Sequence, residues 1–171
     1  MKLVANKISV AIIILFILTS AYSCKVKKQA ITTTDISSQR SQLQYIPKAL
    51  HDTYLGMPVS DFKKARMVMS EKDSNRMNFR IEFTETIEDN DIDRVTYYFD
   101  KDYNQPLYEY IIEYKSATKL QELVKQKYGN HNDGNQWIFD SGEGFMIRVW
   151  TFKNKLCIAG VIKGTEWWDE K

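Results

Sequence analysis

Four aspartates, Asp89, Asp91, Asp93 and Asp100, occupy positions 1, 3, 5 and 12 of the window "DNDIDRVTYYFD". That is the spacing at which a calcium loop turns carboxylate oxygens toward a hard cation. Position 6 is Arg94, where such a loop needs glycine for its sharp turn, and position 12 is the shorter Asp instead of Glu. The window therefore reads better as an acidic turn running into a strand, and no metal or cofactor is expected. The other groups that could do chemistry are His51, His131 and two cysteines, Cys24 and Cys157. His131 lies in the polar loop "GNHNDGN", and His51 precedes the first helix signal. No HExxH, Gly-x-Ser-x-Gly, P-loop, Rossmann or CxxC pattern accompanies them. Cys157 sits inside the apolar run "KLCIAGVI" and reads as a buried thiol. These residues make an enzyme the lesser expectation, and no catalytic residue is assigned.

Cys24 has the most definite chemistry. Lys2 and Lys7 precede or abut an apolar run from Ile8 to Leu18, and Ala21-Tyr22-Ser23 lead to the cysteine. The run is shorter than the ~20 residues a helix needs to cross a bilayer. A basic flank, a short apolar core and a small-residue end describe a secretory signal peptide over residues 1–23. The residues around Cys24 resemble the lipobox of bacterial lipoproteins. The resemblance implies cleavage before Cys24, whose thiol then carries diacylglycerol. Ala21 stands where Leu is usual, and Ser23 fits the small residue before the cut. Ordinary signal cleavage is the rival and would cut the same bond; a Cys24–Cys157 disulfide would then be open. Two or more acyl chains hold a protein stably on a membrane, each buried methylene adding about 0.8 kcal/mol.

The chain's formal charge of +2 includes Lys2 and Lys7 of the signal. Of 24 basic residues, losing these two leaves 22, equal to the 22 acids. A neutral mature chain lacks the basic footprint of a nucleic-acid binder. Residues 25–44 are rich in Ser, Thr, Gln and Lys, with no aromatic, Gly or Pro. Such a stretch buries too little apolar surface to offset its ordering, so residues 24–45 read as the lipidated N-terminus and a flexible tether. Residues 46–171 read as a single domain, long enough for a real core.

Within that domain, "GMPVSDFKKARMVM" predicts a helix with Val59, Phe62, Ala65, Arg66 and Met69 at helical spacing. Three period-two segments follow: Phe79, Ile81, Phe83; then Val95, Tyr97, Phe99; then Tyr108, Tyr110, Ile112, Tyr114. "EDND" and "DKDYNQP" are the turns between them. "SATKLQELVKQKYG" predicts a second helix with Ser116 as N-cap and Gly129 just past its end. "QWIF", "FMIRVWTF" and "KLCIAGVI" read as three more strands. The expected fold class is α+β: antiparallel sheet with helices on one face, its order reading as a tandem helix-plus-three-strand repeat.

Gly56, Met57, Asp61 and Phe62 of "YLGMPVSDFKKAR" are similar to the helix start of BamE-like lipoproteins. Helix-plus-meander repeats also resemble beta-lactamase-inhibitor-protein-like domains. Pro58 departs from the Ser or Thr usual there. The resemblance implies a non-enzymatic, protein-binding envelope lipoprotein.

The expectation is thus a lipid-anchored envelope protein, at the outer membrane facing the periplasm, that binds an unidentified protein. Tyr98, Glu109, Ile111 and Glu113 fall on the strand faces opposite the core, and Tyr98 and Ile111 are the candidate partner contacts. The terminal "EWWDE" is a further aromatic candidate. An anchored or secreted enzyme of unrecognised type is the alternative, as is a carbohydrate- or small-ligand-binding module.

Overall fold

In the computed structural model, residues 41–66, 70–72, 80–101, 105–141 and 145–162 are described. The expected signal peptide, Cys24, Met69, Phe79 and the terminal "EWWDE" lie outside them. Among the described residues no helix is long and apolar enough to cross a membrane.

The fold is α+β, built on one antiparallel sheet. Helix α1 spans Val59–Ala65 and α2 spans Ala117–Tyr128. The strands are β1 (Ser70–Lys72), β2 (Arg80–Thr86), β3 (Ile92–Asp100), β4 (Leu107–Tyr114), β5 (Gln136–Asp140), β6 (Phe145–Phe152) and β7 (Lys155–Ile162). Their order in the sheet is β1-β2-β3-β4-β7-β6-β5. The two meanders therefore meet along β4 and β7, the last strand of each.

Alternation sets which face each strand buries. Phe83, Val95, Tyr97, Phe99, Tyr110, Ile112, Val149, Leu156 and Ile158 form the core face. Phe62 of α1 and Leu120 and Val124 of α2 belong to the same buried cluster. Phe62 is the hub of the aromatic packing, its ring centroid 4.7 Å from Tyr97, 5.0 Å from Phe99 and 5.4 Å from Phe83.

Local chemistry starts and stops the helices where expected at three of four ends. Pro58, with φ fixed near −62°, precedes α1. The Ser116 hydroxyl accepts from the Lys119 N–H at 3.3 Å, and Gly129 closes α2 at φ +72°. The fourth end differs. The first helix stops at Ala65, and Arg66 already has extended backbone. Its side chain leaves the helix face to bind two other elements, strand β2 and the segment before the helix. Nη1 donates to Glu85 Oε1 at 2.7 Å, and Nη2 donates to the Ala49 carbonyl at 2.7 Å and to Asp52. The Tyr97 hydroxyl donates to the same Glu85 oxygen.

Ala49 and Asp52 belong to a strap, residues 42–57, laid over the core face. The strap begins before the boundary expected at residue 46. Gln42 is buried, and its amide makes two hydrogen bonds to Leu55, accepting from the N–H at 3.0 Å and donating to the carbonyl at 3.3 Å. Tyr45 stacks on Phe139 at 4.2 Å, and its carbonyl accepts from the Tyr128 hydroxyl at 2.6 Å. Thr53 is buried and accepts from Tyr110 at 3.1 Å. Gln42 and Tyr45 thus pack against the domain, the buried Gln42 amide being satisfied by specific hydrogen bonds.

Arg66 and Glu85 have side chains only 12 % exposed. Removing one member of such a pair leaves the other charge without compensation. Arg66→Met is expected to lower unfolding free energy by about 3 kcal/mol in urea denaturation, with part of the loss recovered by adding Glu85→Leu. A single substitution within experimental error of the parent would show that the network carries no stability.

Candidate functional site

The helices and strap cover one face of the sheet. The other face presents two lateral rows of side chains. Tyr98, Glu109, Ala159, Arg148 and Ile138 lie in register across β3, β4, β7, β6 and β5. Thr96, Ile111, Cys157, Trp150 and Gln136 form the next row. Between the rows and the loop 133–135 is a cleft of about 510 Å³, lined by Tyr108, Glu109, Gln136, Arg148, Trp150 and Ala159 among others. That volume suits a small molecule.

A β-bulge builds one wall. Tyr98 pairs with Glu109 and Phe99 with Leu107, so Tyr108 is the extra residue. Sequence alternation places Tyr108 with Tyr110, Ile112 and Tyr114 on the core face; the bulge corrects this. Leu107 is buried in its stead, and Tyr108 turns to the second face, its ring 6.4 Å from Tyr98 and stacked. An inserted residue reverses every side-chain direction on one side of it. Tyr98 in turn carries the Arg80 guanidinium over its ring at 4.1 Å.

Ala159 makes the floor. It separates Glu109 from Arg148, whose Cα atoms, two strand spacings apart, lie about 10 Å from each other. Burial pushes the Glu109 carboxyl up to about 7, the Arg80 guanidinium pulling the other way. Burial also pushes the Tyr108 hydroxyl and the Cys157 thiol up to about 12, with the Glu109 charge adding to both. Cys157 is a free, buried thiol, as its apolar run suggested, but it sits on the second face and not in the core cluster. Arg148 makes no hydrogen bond or ion pair with any described residue, and its Nε is buried.

The sequence candidates fall in different places. Tyr98 and Ile111 are on the second face, both half-buried. The four aspartates are not brought together. Asp89 is spent on its own turn, accepting from the N–H of Asp91 at 2.8 Å and of Ile92 at 3.0 Å, which holds its carboxyl below the usual range. Asp91 pairs with Lys119. Strand β3 runs from Ile92 to Asp100, leaving Asp93 and Asp100 roughly 23 Å apart. Among the described residues no three His, Cys, Asp or Glu side chains gather as a metal site. His51 Nε2 lies 3.1 Å from the Ile46 carbonyl oxygen, and the His131 ring packs on Trp137 at 4.1 Å. Glu109 was placed on the face opposite the core by alternation alone, and Arg148 and Trp150 were not singled out from sequence; the only trace of them was a polar or aromatic residue opposite each core position.

No protein-family model, no curated protein and no solved structure matches the chain.

The raised Glu109 pKa has a stability consequence. The folded state holds the proton more tightly than the unfolded chain, so this group's contribution is complete below pH about 4.5 and is lost as pH rises through about 7. Glu109→Gln removes that loss. The variant should gain stability over the parent as pH climbs from 4.5 to 8, the gap reaching on the order of 2 kcal/mol. Urea titrations of both proteins across that range would test it; a pH-independent gap would count against the burial of this carboxyl.

Proposed function

We propose that this chain is a lipid-anchored lipoprotein of the bacterial envelope, at the outer membrane facing the periplasm, with a non-catalytic role in binding a partner protein. On this reading residues 1–23 are a signal peptide, Cys24 carries the lipid, and the following residues tether the domain. The second face of the sheet is the working surface. The observation that carries the reading is the asymmetry of the two faces: the core face is roofed by α1, α2 and the strap, while Tyr98, Ile111 and Trp150 stay half-exposed opposite it. Phe152, at the end of the same face, is 60 % exposed. Exposed aromatics on a rigid sheet are the usual anchors of protein interfaces. The domain is further read as two helix-plus-three-strand halves, α1 with β2–β4 and α2 with β5–β7, to which β1 adds an edge strand; the way β4 and β7 meet within the sheet supports this.

Two measurements test this. Metabolic labelling with a clickable fatty acid should mark the protein, and Cys24→Ala should abolish the mark; an unlabelled parent protein in the soluble fraction would defeat the lipoprotein assignment. Cross-linking in the envelope should capture a partner whose yield falls severalfold in Ile111→Glu and Phe152→Glu. Circular dichroism establishes that each variant is folded. His51→Ala and His131→Ala should leave capture and complementation intact, and a folded, correctly located but inactive histidine variant would overturn the non-catalytic assignment.

A further inference from the structure

We propose that the cleft on the second face is a binding site for a small organic anion, a carboxylate or similar group carried on an aromatic or other flat apolar body. This goes beyond capture of a protein partner and stands without it.

The charged groups around the cleft are not equally satisfied. On the β2 and β3 side Arg80 is partnered, lying over Tyr98 and hydrogen-bonding Tyr108, although its Nε is also buried without an acceptor. On the rim, Asp133 accepts from Gln136 Nε2 at 2.7 Å. Arg148, on the opposite wall, is different. It stands among Ile138, Ala159 and the cleft, with a buried Nε and no acceptor among the described residues. A guanidinium offers five donors in a flat fork, the complement of a carboxylate. The buried Nε of Arg148 lacks an acceptor, a cost that an anionic ligand accepting from the guanidinium would reduce.

The apolar part of the ligand is set by the neighbours. Trp150 flanks Arg148 along β6 and, half-buried, has no ring partner among the described residues. Ala159 leaves an open floor beside it, where a longer side chain would fill the space. A flat ring seated on Ala159 would lie against Trp150, with its anion at Arg148 and its far edge toward Tyr108 and Glu109. Aromatic stacking and one charge-assisted hydrogen-bonded pair are the usual composition of a small-molecule site.

Glu109 gives the site a pH response. Arg80 acts on it directly; around it stand Tyr98 from β3, Tyr108 on its own strand, Cys157 from β7 and Arg148 beyond Ala159, with Glu82 beside Tyr98 and Lys155 opposite Glu113. Lys155 is 3.9 Å from Glu113, and the two tyrosines and the thiol stay neutral at physiological pH. Glu109 is therefore the group in the cleft whose charge changes near pH 7. Protonated, it donates to the ligand; ionised, it repels an anion.

The test is calorimetry of 2-naphthoate against the full chain in phosphatidylcholine nanodiscs, with empty nanodiscs subtracted and uncharged 2-naphthamide as the paired probe. One molecule of naphthoate should bind per chain, and naphthamide roughly tenfold more weakly or less. Arg148→Gln should weaken naphthoate by roughly tenfold or more and leave naphthamide unchanged. Ala159→Leu, which keeps the charge and fills the floor, should abolish both. Naphthoate affinity should fall severalfold between pH 6 and pH 8 in the parent and stay flat in Glu109→Gln. Equal binding of the two probes, unaltered naphthoate affinity in folded Arg148→Gln and Ala159→Leu, or no binding at millimolar probe would each overturn the site.

Discussion

The guanidinium of Arg66 is placed where the end of α1, the strap and strands β2 and β3 converge, and it bonds to all but one of them directly. Glu85 on β2 takes one nitrogen; the Ala49 carbonyl and Asp52 on the strap take the other; Tyr97 on β3 joins through Glu85. A charge this enclosed is tolerable only because its acceptors are fixed in place. The reverse dependence also holds. The strap has little regular structure of its own, and its carbonyls and Asp52 need a donor at that point. Loss of the node would remove the strap's ionic tie to β2, leaving it held by the Tyr128 and Tyr110 hydrogen bonds and by its buried apolar residues.

Close approach of the strap makes a second demand, met at Gly160. A Cβ at that position would come within 2.9 Å of the Phe145 ring and 3.2 Å of Leu55 Cβ. Glycine on β7 lets Leu55, the residue held by the Gln42 amide, settle against the strand. Its neighbour Ala159 points to the opposite face and forms the floor of the cleft. Two successive small residues on one strand thus serve opposite faces: one admits the strap, the other leaves room for a ligand. The bulge at Tyr108 completes this division, sending Leu107 into the core and Tyr108 to the cleft.

The faces differ in chemistry as well as in cover. The core face is aromatic and aliphatic, and its polar atoms, such as the Tyr110 and Tyr97 hydroxyls, are hydrogen-bonded. The second face mixes Arg80, Glu109 and Arg148 with Ile111, Cys157 and Trp150. Partly buried charges beside apolar surface keep a face soluble while leaving interaction energy unspent, the combination expected of a binding surface.

Much of the local structure was legible in the residues themselves. Period-two runs located β2, β3 and β4, the runs "QWIF", "FMIRVWTF" and "KLCIAGVI" marked β5, β6 and β7, and Ser116 and Gly129 marked the ends of α2, because such patterns and capping act over a few residues. The α+β class followed from those segments. Three features were decided only by tertiary structure. Gln42 falls in the stretch read as tether, and Thr53 carries no local signal, until Leu55 and Tyr110 supply their hydrogen-bond partners. Tyr108 continues an unbroken alternation in sequence, and only the register against β3 inserts the bulge that reverses it. Glu109, Ala159, Arg148 and Trp150 come from three strands separated by a helix, and no local pattern relates them. Their neighbourhood exists because β4 pairs with β7, a long-range contact whose choice depends on the packing of both meanders under one roof.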